Sequence, residues 1–393
     1  MMKVITVMRE SGADAVHPGY GFLAENSYFA EAVIAAGLTW IGPQPQTIRN
    51  MGDKERARVL AGAAGLSLLP GSGRFALGES AVELAATAAE IGYPLLVKAA
   101  AAGGGIGMKR VDKPERLEAT VEATQRAGLN SFGDGTVYLE KFIARARHVE
   151  VQIFGFGDGR AVHLFERDCS IQRRFQKVIE ESPAFGLAPE TRAAMLNTSV
   201  ALAAQAYYAG AGTIEFIVDT ETQAFFFLEM NTRIQVEHPV TEMIASQDLV
   251  ALQIRLAADE DLSSLRQEAI TTSGHAIECR IYAENTSKIF LPSPGTLTRF
   301  DLPPQGEGIR IDSGVRVGDQ ITIHYDPMIA KLICHSDNRS SAIDKMLGAL
   351  GSTEIEGLHT NLAFLKRTLD HPAFRAGDVH TGFIEAHRAA LMA

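Results

Sequence analysis

The sequence predicts a mixed chain, part α/β and part α+β, folded as two or three domains. Three observations predict it. Helical and extended patterns alternate along most of the 393 residues. A compact unit of strand, glycine loop, strand, helix and strand stands near residues 70–142. Two apolar strand runs flank the turn Asp219-Thr220-Glu221-Thr222. With 46% hydrophobic residues, the chain carries enough apolar mass for a large core.

In chain order, Asn26–Ala36 reads as a helix because Asn26 and Ser27 are both good caps. The short strand Thr39-Trp40-Ile41 follows and stops at Gly42-Pro43. Residues Gln46–Ala64 read as one helix, opposed only by Gly52 and Gly62. The cluster Pro70-Gly71-Ser72-Gly73 marks a boundary. Beyond it come an amphipathic helix at Glu79–Ile91 closed by Gly92, the strand Leu95–Ala99, a glycine loop at 103–107 and the strand Met108–Val111. A helix at 113–127 and the strand Val137–Lys141 complete the unit, which is sized for a small lid. Strands near Val149–Phe154 and Ala161–Arg167 precede a long helix at Pro189–Ala209. The hairpin pairs Ile214–Val218 with Ala224–Met230, and a helix at 247–258 ends this part. A third unit starts near Gly274, with strands at His275–Tyr282, Gly295–Phe300, Ile309–Ser313 and Met328–Cys334 and a helix over Ser341–Leu350.

Composition excludes several classes. The net charge is −10, which argues against general nucleic-acid binding, although local basic clusters can still hold small anions. Cys169, Cys279 and Cys334 are widely spaced and odd in number, so neither a disulfide framework nor a zinc site is expected. That usage fits a reducing compartment, with the cytoplasm as the default. No apolar run reaches the roughly 18 residues of a membrane helix. The opening Met1–Val7 soon meets Arg9 and Glu10, unlike a signal peptide.

The most informative stretch is Leu228-Glu229-Met230-Asn231-Thr232-Arg233-Ile234-Gln235-Val236-Glu237-His238-Pro239. In extended chain, a period of two puts Glu229, Asn231, Arg233, Gln235 and Glu237 on one face. A plain solvated strand face is the bland alternative, but convergent polar groups after Phe225-Phe226-Phe227 favour a site. A hairpin sets Glu215 across from Glu229, and two facing carboxylates repel unless a cation joins them. Oxygen donors of this kind suit Mg²⁺ or Mn²⁺ bound with nucleotide phosphates. The loop Ala102-Gly103-Gly104-Gly105-Ile106-Gly107, with Lys98 on the strand before it, fits a phosphate cradle and an ordinary turn equally well. The run Glu166–Lys177 mixes cations with Cys169, Ile171 and Phe175, which favours partial burial and an anion partner over a solvated charge run.

Taken together, these strings resemble a known family. His17-Pro18-Gly19-Tyr20-Gly21-Phe22-Leu23-Ala24-Glu25-Asn26, Met51-Gly52-Asp53-Lys54, Glu166–Lys177, Glu229–Glu242, Gly274–Arg280 and Phe290–Gly295 are similar to biotin carboxylases of the ATP-grasp superfamily. The resemblance covers essentially the whole chain. It implies a truncated N-terminal α/β domain over 1–50, an ATP-grasp domain over 51–260 with a lid at about 70–142, and a C-terminal biotin-carboxylase domain over 271–388. The implied activity is ATP- and bicarbonate-dependent carboxylation of biotin through carboxyphosphate, the first half-reaction of an acyl-CoA carboxylase. Implied partners are bicarbonate, a biotin carrier protein or domain, a carboxyltransferase subunit and a second copy of the chain.

The same resemblance implies roles. Lys54, Lys98, Gly103, Gly104 and Gly105 would meet ATP phosphates; Glu140 and the backbone at Ile143 would meet adenine, with His148 and Gln172 nearby. Glu215, Glu229 and Asn231 would bind Mg²⁺ or Mn²⁺. Lys177, Arg233, Gln235 and Val236 would hold bicarbonate, and Glu237 would be its general base. Arg310 would stabilise the biotin enolate, with Tyr20 and Gly21 near the ring. Four departures from the family pattern stand out. About two βα units are lacking before His17, which would leave Met1–Trp40 poorly packed. Ala102 and Ile106 replace a glycine and a cation, Phe175 replaces a histidine, and no Met-Lys-Met biotinylation site occurs. The tail His371–Ile384 resembles subunits acting on methylcrotonoyl- or propionyl-CoA. Two competing readings are another ATP-grasp carboxylate–amine ligase, which the string Arg233–Glu237 disfavours, and an inactive truncated relative serving as a binding or structural subunit.

Overall fold

The computed structural model describes residues 2–101 and 107–392. The chain opens with helix α1 (Met2–Glu10), strand β1 (Ala15–Val16), helix α2 (Ser27–Ala35) and strand β2 (Thr39–Trp40). β1 and β2 pair in parallel. The Asn26 side chain caps α2, accepting from the Phe29 N–H at 2.9 Å. Ile5, Val16, Phe29, Val33, Trp40 and Ile48 form a small core of their own. Apolar side chains on the same segment, including Val7 and Phe22, stay exposed, as expected of so small a sheet.

Where one helix was expected over Gln46–Ala64 there are two, α3 (Pro45–Gly52) and α4 (Lys54–Ala63). The break is at Asp53, whose carboxylate accepts from the N–H groups of Glu55 and Arg56 at 3.1 and 3.0 Å. Gly52 weakens the first helix and Asp53 caps the second, so the local chemistry favours a restart.

The lid comprises α5 (Ala81–Ile91), β3 (Leu95–Ala99), β4 (Met108–Val111), α6 (Leu117–Phe132) and β5 (Val137–Lys141), with strand order β4-β3-β5, all antiparallel. α6 runs past the expected residue 127 to Gly133, which adopts φ 74° and ends it. Gly128 does not break this helix; a Cβ there would come within 2.7 Å of the Asp134 carbonyl oxygen, so the close approach of the following loop requires a glycine.

The body of the molecule is an eight-stranded antiparallel sheet among the described residues. Its strands include β6 (Ala146–Phe156), β7 (Ala161–Arg173), β8 (Gln176–Ser182), then, after helix α7 (Pro189–Gln205), β9 (Ala209–Asp219) and β10 (Phe225–Asn231). Helices α8 (His238–Ala245) and α9 (Leu249–Ala257) lead to β11 (His275–Tyr282). Short strands β12 (Glu284–Asn285), β13 (Leu291–Pro292), β14 (Gly295–Thr296) and β15 (Arg299–Asp301) follow, so the single strand expected at Gly295–Phe300 is two. Then come β16 (Ile309–Ser313), β17 (Gln320–Ile321), β18 (Met328–Ser336) and helix α10 (Arg339–Gly351). The order is β10-β9-β6-β7-β8-β11-β18-β16. The third unit therefore continues the same sheet through the β8–β11 pairing instead of standing apart.

β8 went unread in the sequence. Its hairpin with β7 turns at Arg174 and Phe175, both at positive φ, 50° and 69°. Such a turn is usually announced by Asn-Gly or Asp-Gly, and this one carries no such signal. One core lies where α7 covers β6 and β7, with Val149, Met195, Leu202, Ile214 and Phe216 fully buried. Another lies under α10, around Ile277, Cys279, Leu332 and Met346. No helix among the described residues is long and apolar enough to cross a membrane.

Candidate functional site

The β9–β10 register puts Glu229 directly opposite Glu215 and Asn231 opposite Thr213. The Asn231 amide donates to Glu215 Oε1 at 3.0 Å. The expected alternation ends there. Residues 232–236 leave the sheet in bends, and Glu237 caps α8, with Pro239 in the first turn of the helix. Arg233, Gln235 and Glu237 thus do not share one strand face with Glu229; a turn gathers them. The Gln235 amide donates to Glu215 Oε1 at 2.9 Å, and the Val236 carbonyl accepts from Lys331 Nζ at 2.6 Å.

Lys177, near the start of β8, is the hub. Its ammonium donates to Glu150 Oε2 at 2.6 Å, Glu215 Oε1 at 2.9 Å and Glu237 Oε1 at 2.5 Å. Behind Glu150 stands Arg167, wholly buried, with Nε donating to Glu150 at 2.6 Å and Nη1 to Gln152 and Thr241. On the other side, Arg280 Nη2 donates to Glu237 Oε2 at 2.8 Å. Burial alone would raise the Glu237 carboxyl, but Lys177, Arg280 and Arg167 outweigh it and hold it well below the ordinary range. Glu215 is held low in the same way, against its burial, by Lys177 and His148. His148 Nε2 lies 2.9 Å from Glu215 Oε2, and the Gln172 amide lies 2.6 Å from Nδ1. Burial disfavours the His148 cation, yet Glu215 raises its pKa overall.

Next to this cluster a cleft of about 730 Å³ lies between lid and body. Lys54, Lys98, Glu140, Ile143, His148 and Gln172 line it, and Glu215 and Glu229 face it. Lys98 and Glu140 form a buried ion pair across the lid sheet. Solvent reaches Glu229, but the protein around it and the charge of Glu215 push its carboxyl up. Glu215, Glu229 and Asn231 carry hard oxygen donors of the kind that fit Mg²⁺ or Mn²⁺. Gly103, Gly104 and Gly105, with Ala102 and Ile106, lie outside the described residues. Phe175 stands exposed on the rim of the cleft.

Other expected residues sit elsewhere. Arg233 turns away from Glu237: its Nε donates to Glu25 Oε2 at 3.0 Å and its Nη2 to Asn231 Oδ1 at 3.2 Å. Glu25 Oε1 also accepts from the Thr232 N–H at 2.9 Å, so the 17–25 motif is tied to the 231–233 turn. Tyr20 and Gly21 are exposed on that motif. Arg310, expected to serve the enolate, is held by Glu242 at 2.5 Å and by Asp312 at 2.9 and 3.1 Å. A second guanidinium, that of Arg280, reaches Glu237 because β11 runs beside β8 in the sheet. Its signal was present: two charged residues, Glu278 and Arg280, alternate with apolar ones in an otherwise buried strand.

A small three-stranded antiparallel unit beside a cleft of this size, with paired carboxylates on neighbouring strands, is the architecture of the ATP-grasp class. Family models agree in three contiguous matches: the carbamoyl-phosphate synthase L chain ATP-binding domain over residues 53–265, the biotin carboxylase C-terminal domain over 278–386 and the biotin carboxylase N-terminal domain over 1–48. Biotin carboxylase 2 of Bacillus subtilis is 48% identical over 386 residues, covering 98% of this chain and 85% of that protein. The mitochondrial methylcrotonoyl-CoA carboxylase subunit alpha of Dictyostelium discoideum is 47% identical across all of this chain, which spans 55% of that subunit. Among solved structures, the biotin carboxylase domain dimer of Hydrogenobacter thermophilus 2-oxoglutarate carboxylase, in complex with MgADP, ADP and bicarbonate, superposes with TM-score 0.92 at 43% identity over 99% of this chain and 85% of that one. This chain belongs to the biotin carboxylase family, whose members are ATP-dependent ligases.

Proposed function

We propose that this chain carboxylates biotin with ATP and bicarbonate. The observation that carries the reading is Glu237: a wholly buried carboxylate flanked by Lys177 and Arg280 and joined through Lys177 to Glu215, which faces the nucleotide cleft. Lys54 and Lys98 serve the phosphates, with Glu140, Ile143, His148 and Gln172 around the nucleoside. Glu215, Glu229 and Asn231 would hold the divalent cation, which supplies charge neutralisation on the phosphates. Glu237 takes the bicarbonate proton, and a bicarbonate oxygen attacks the γ-phosphorus while ADP leaves. Carboxyphosphate breaks down to CO₂ and phosphate, the released phosphate takes the proton of the biotin N–H, and the deprotonated nitrogen attacks CO₂. Lys177, Gln235 and Arg233 hold the anion, the last after release from Glu25. Arg310 stabilises the charge that builds on biotin, as the family resemblance implies, and Arg280 braces Glu237 from the neighbouring strand.

The chain spans about half the length of the methylcrotonoyl-CoA carboxylase relatives. Biotin borne on a carrier, a carboxyltransferase partner and a branched acyl-CoA as final acceptor are part of this proposal. So is assembly as a homodimer, in keeping with the dimer described for the Hydrogenobacter domain. Three free, buried cysteines support a reducing compartment, the cytoplasm or, as for the named relatives, the mitochondrion. The test is ADP release with MgATP, with and without bicarbonate, and with and without free biotin. Bicarbonate-dependent release, stimulated by biotin, is expected; nucleotide binding with no bicarbonate dependence would overturn the reading.

A further inference from the structure

Two carboxylates outside the roles above lie one layer behind the site. Glu180 on β8 and Glu278 on β11 are direct cross-strand partners, so their side chains leave the sheet on the same face. Both are wholly buried, at 0% exposure. Neither Glu278 oxygen has a hydrogen-bond partner among the described residues, and Glu180 is met by the Arg280 guanidinium. Such groups are costly unless they do something for their neighbours. What they neighbour is Arg280, two residues beyond Glu278. Its Nη2 stands 2.5 Å from Glu180 Oε1 and 2.8 Å from Glu237 Oε2, so one guanidinium nitrogen bridges a carboxylate in the site and a carboxylate behind it. Arg280 Nε has no hydrogen-bond partner among the described residues, which leaves the bridge to set the roll of the guanidinium.

We infer that Glu180 is a positioning residue for carboxyl transfer: it holds Arg280 from behind and so presents the guanidinium to Glu237 in one orientation. The inference rests on the proposed activity. Two facing buried carboxylates disfavour each other's ionisation, and the one in contact with Arg280 ionises the more readily. The groups around the pair are Arg280 and Tyr282 on β11, Lys177 on β8, Lys331 on β18 and Glu237 at the start of α8. Burial pushes Glu278 up to about 8, with Glu180 and Glu237 adding to it against Lys331 and Arg280. Burial carries Glu180 to about 7, against the pull of Arg280. That ordering matches a neutral Glu278 beside a Glu180 that ionises more readily.

The experiment is Glu180→Gln, which keeps the shape and removes the charge. With MgATP, bicarbonate and free biotin, kcat should fall about tenfold or more while KM for ATP stays within about twofold, because the nucleotide cleft does not touch Glu180. Glu180→Asp keeps the charge and should recover part of kcat; if Glu180→Gln does not fold, the aspartate variant is read alone and must lower kcat without moving KM for ATP. Unchanged kcat in a folded variant, or kcat and ATP affinity falling by the same factor, would overturn the inference. If the wild-type chain shows no bicarbonate-dependent ADP release, the proposed activity fails and a crystal structure of Glu180→Gln decides the positioning claim separately. An Arg280 guanidinium rotated off Glu237 supports it; one still seated at Glu237 refutes it.

Discussion

Replacing Glu237 by glutamine isolates the proposed base in a side chain of the same shape. Its oxygens accept from Lys177 at 2.5 Å and from Arg280 at 2.8 Å, and it is fully buried. Loss of a general base costs a factor of about 10²–10⁴ in kcat, or about 2.7–5.5 kcal/mol of barrier. The same change also removes a buried anion from two buried cations. Stripping a buried ion of its partner costs about 3–5 kcal/mol, but here Lys177 keeps Glu150 and Glu215, Arg280 keeps Glu180, and the amide oxygen can still accept one bond. About 1–3 kcal/mol of stability should therefore be lost, and the melting temperature should drop by several degrees. The assay is bicarbonate-dependent ADP release normalised to the folded fraction from a urea titration. Turnover per folded molecule within about threefold of wild type would refute the assignment, since a general base contributes far more. It would leave Glu237 as a brace between Lys177 and Arg280.

Removing the charge of Glu229 with Glu229→Gln should raise stability without metal, because Glu229 is pushed up by its surroundings and by Glu215; with Mg²⁺ it should abolish turnover and weaken MgATP binding by about tenfold, as titration calorimetry can read. Arg280→Ala, which strips Glu237 of a buried partner, and Arg310→Ala, which removes the guanidinium proposed to face biotin, should each cost about 10² or more in kcat; an Arg310→Ala variant within about threefold of wild type would remove Arg310 from the proposed mechanism. Unfolding releases a proton from Glu278 between its ordinary value near 4.5 and its folded value of about 8, so wild-type stability should fall across that window at up to about 1.4 kcal/mol per pH unit from this group. Melts of Glu278→Gln should be correspondingly flatter from pH 5 to 8, and an unchanged slope would place the proton elsewhere. The depressed carboxyls act oppositely: Glu181, held at about 2 against its burial by His275 and Arg339, together with Glu215 and Glu237, stabilises above about pH 4.5, and that contribution is lost as pH falls toward 2.

Local pattern alone determined much of this protein. Apolar runs around Asp219–Thr222 predicted the hairpin that sets Glu215 opposite Glu229. The glycine loop between two short strands predicted the lid sheet, and the β-rich run at His275–Tyr282 emerged with its limits unchanged. Such features depend on near neighbours, through periodicity and turn chemistry. Tertiary structure decided what depends on distant parts of the chain. Residues 229–237 look uniformly extended in sequence, yet the chain leaves the sheet after Asn231 because α8 begins at Glu237 and packs against β11. Glu25 meets Arg233 across more than 200 residues of sequence. Arg280 reaches Glu237 because β11 joins β8 about 100 residues before it in the chain, a pairing that no local propensity encodes. The charge on Glu237 has the same origin: an isolated glutamate titrates in the ordinary range, and only three cations from three strands, buried together around it, hold this one ionised.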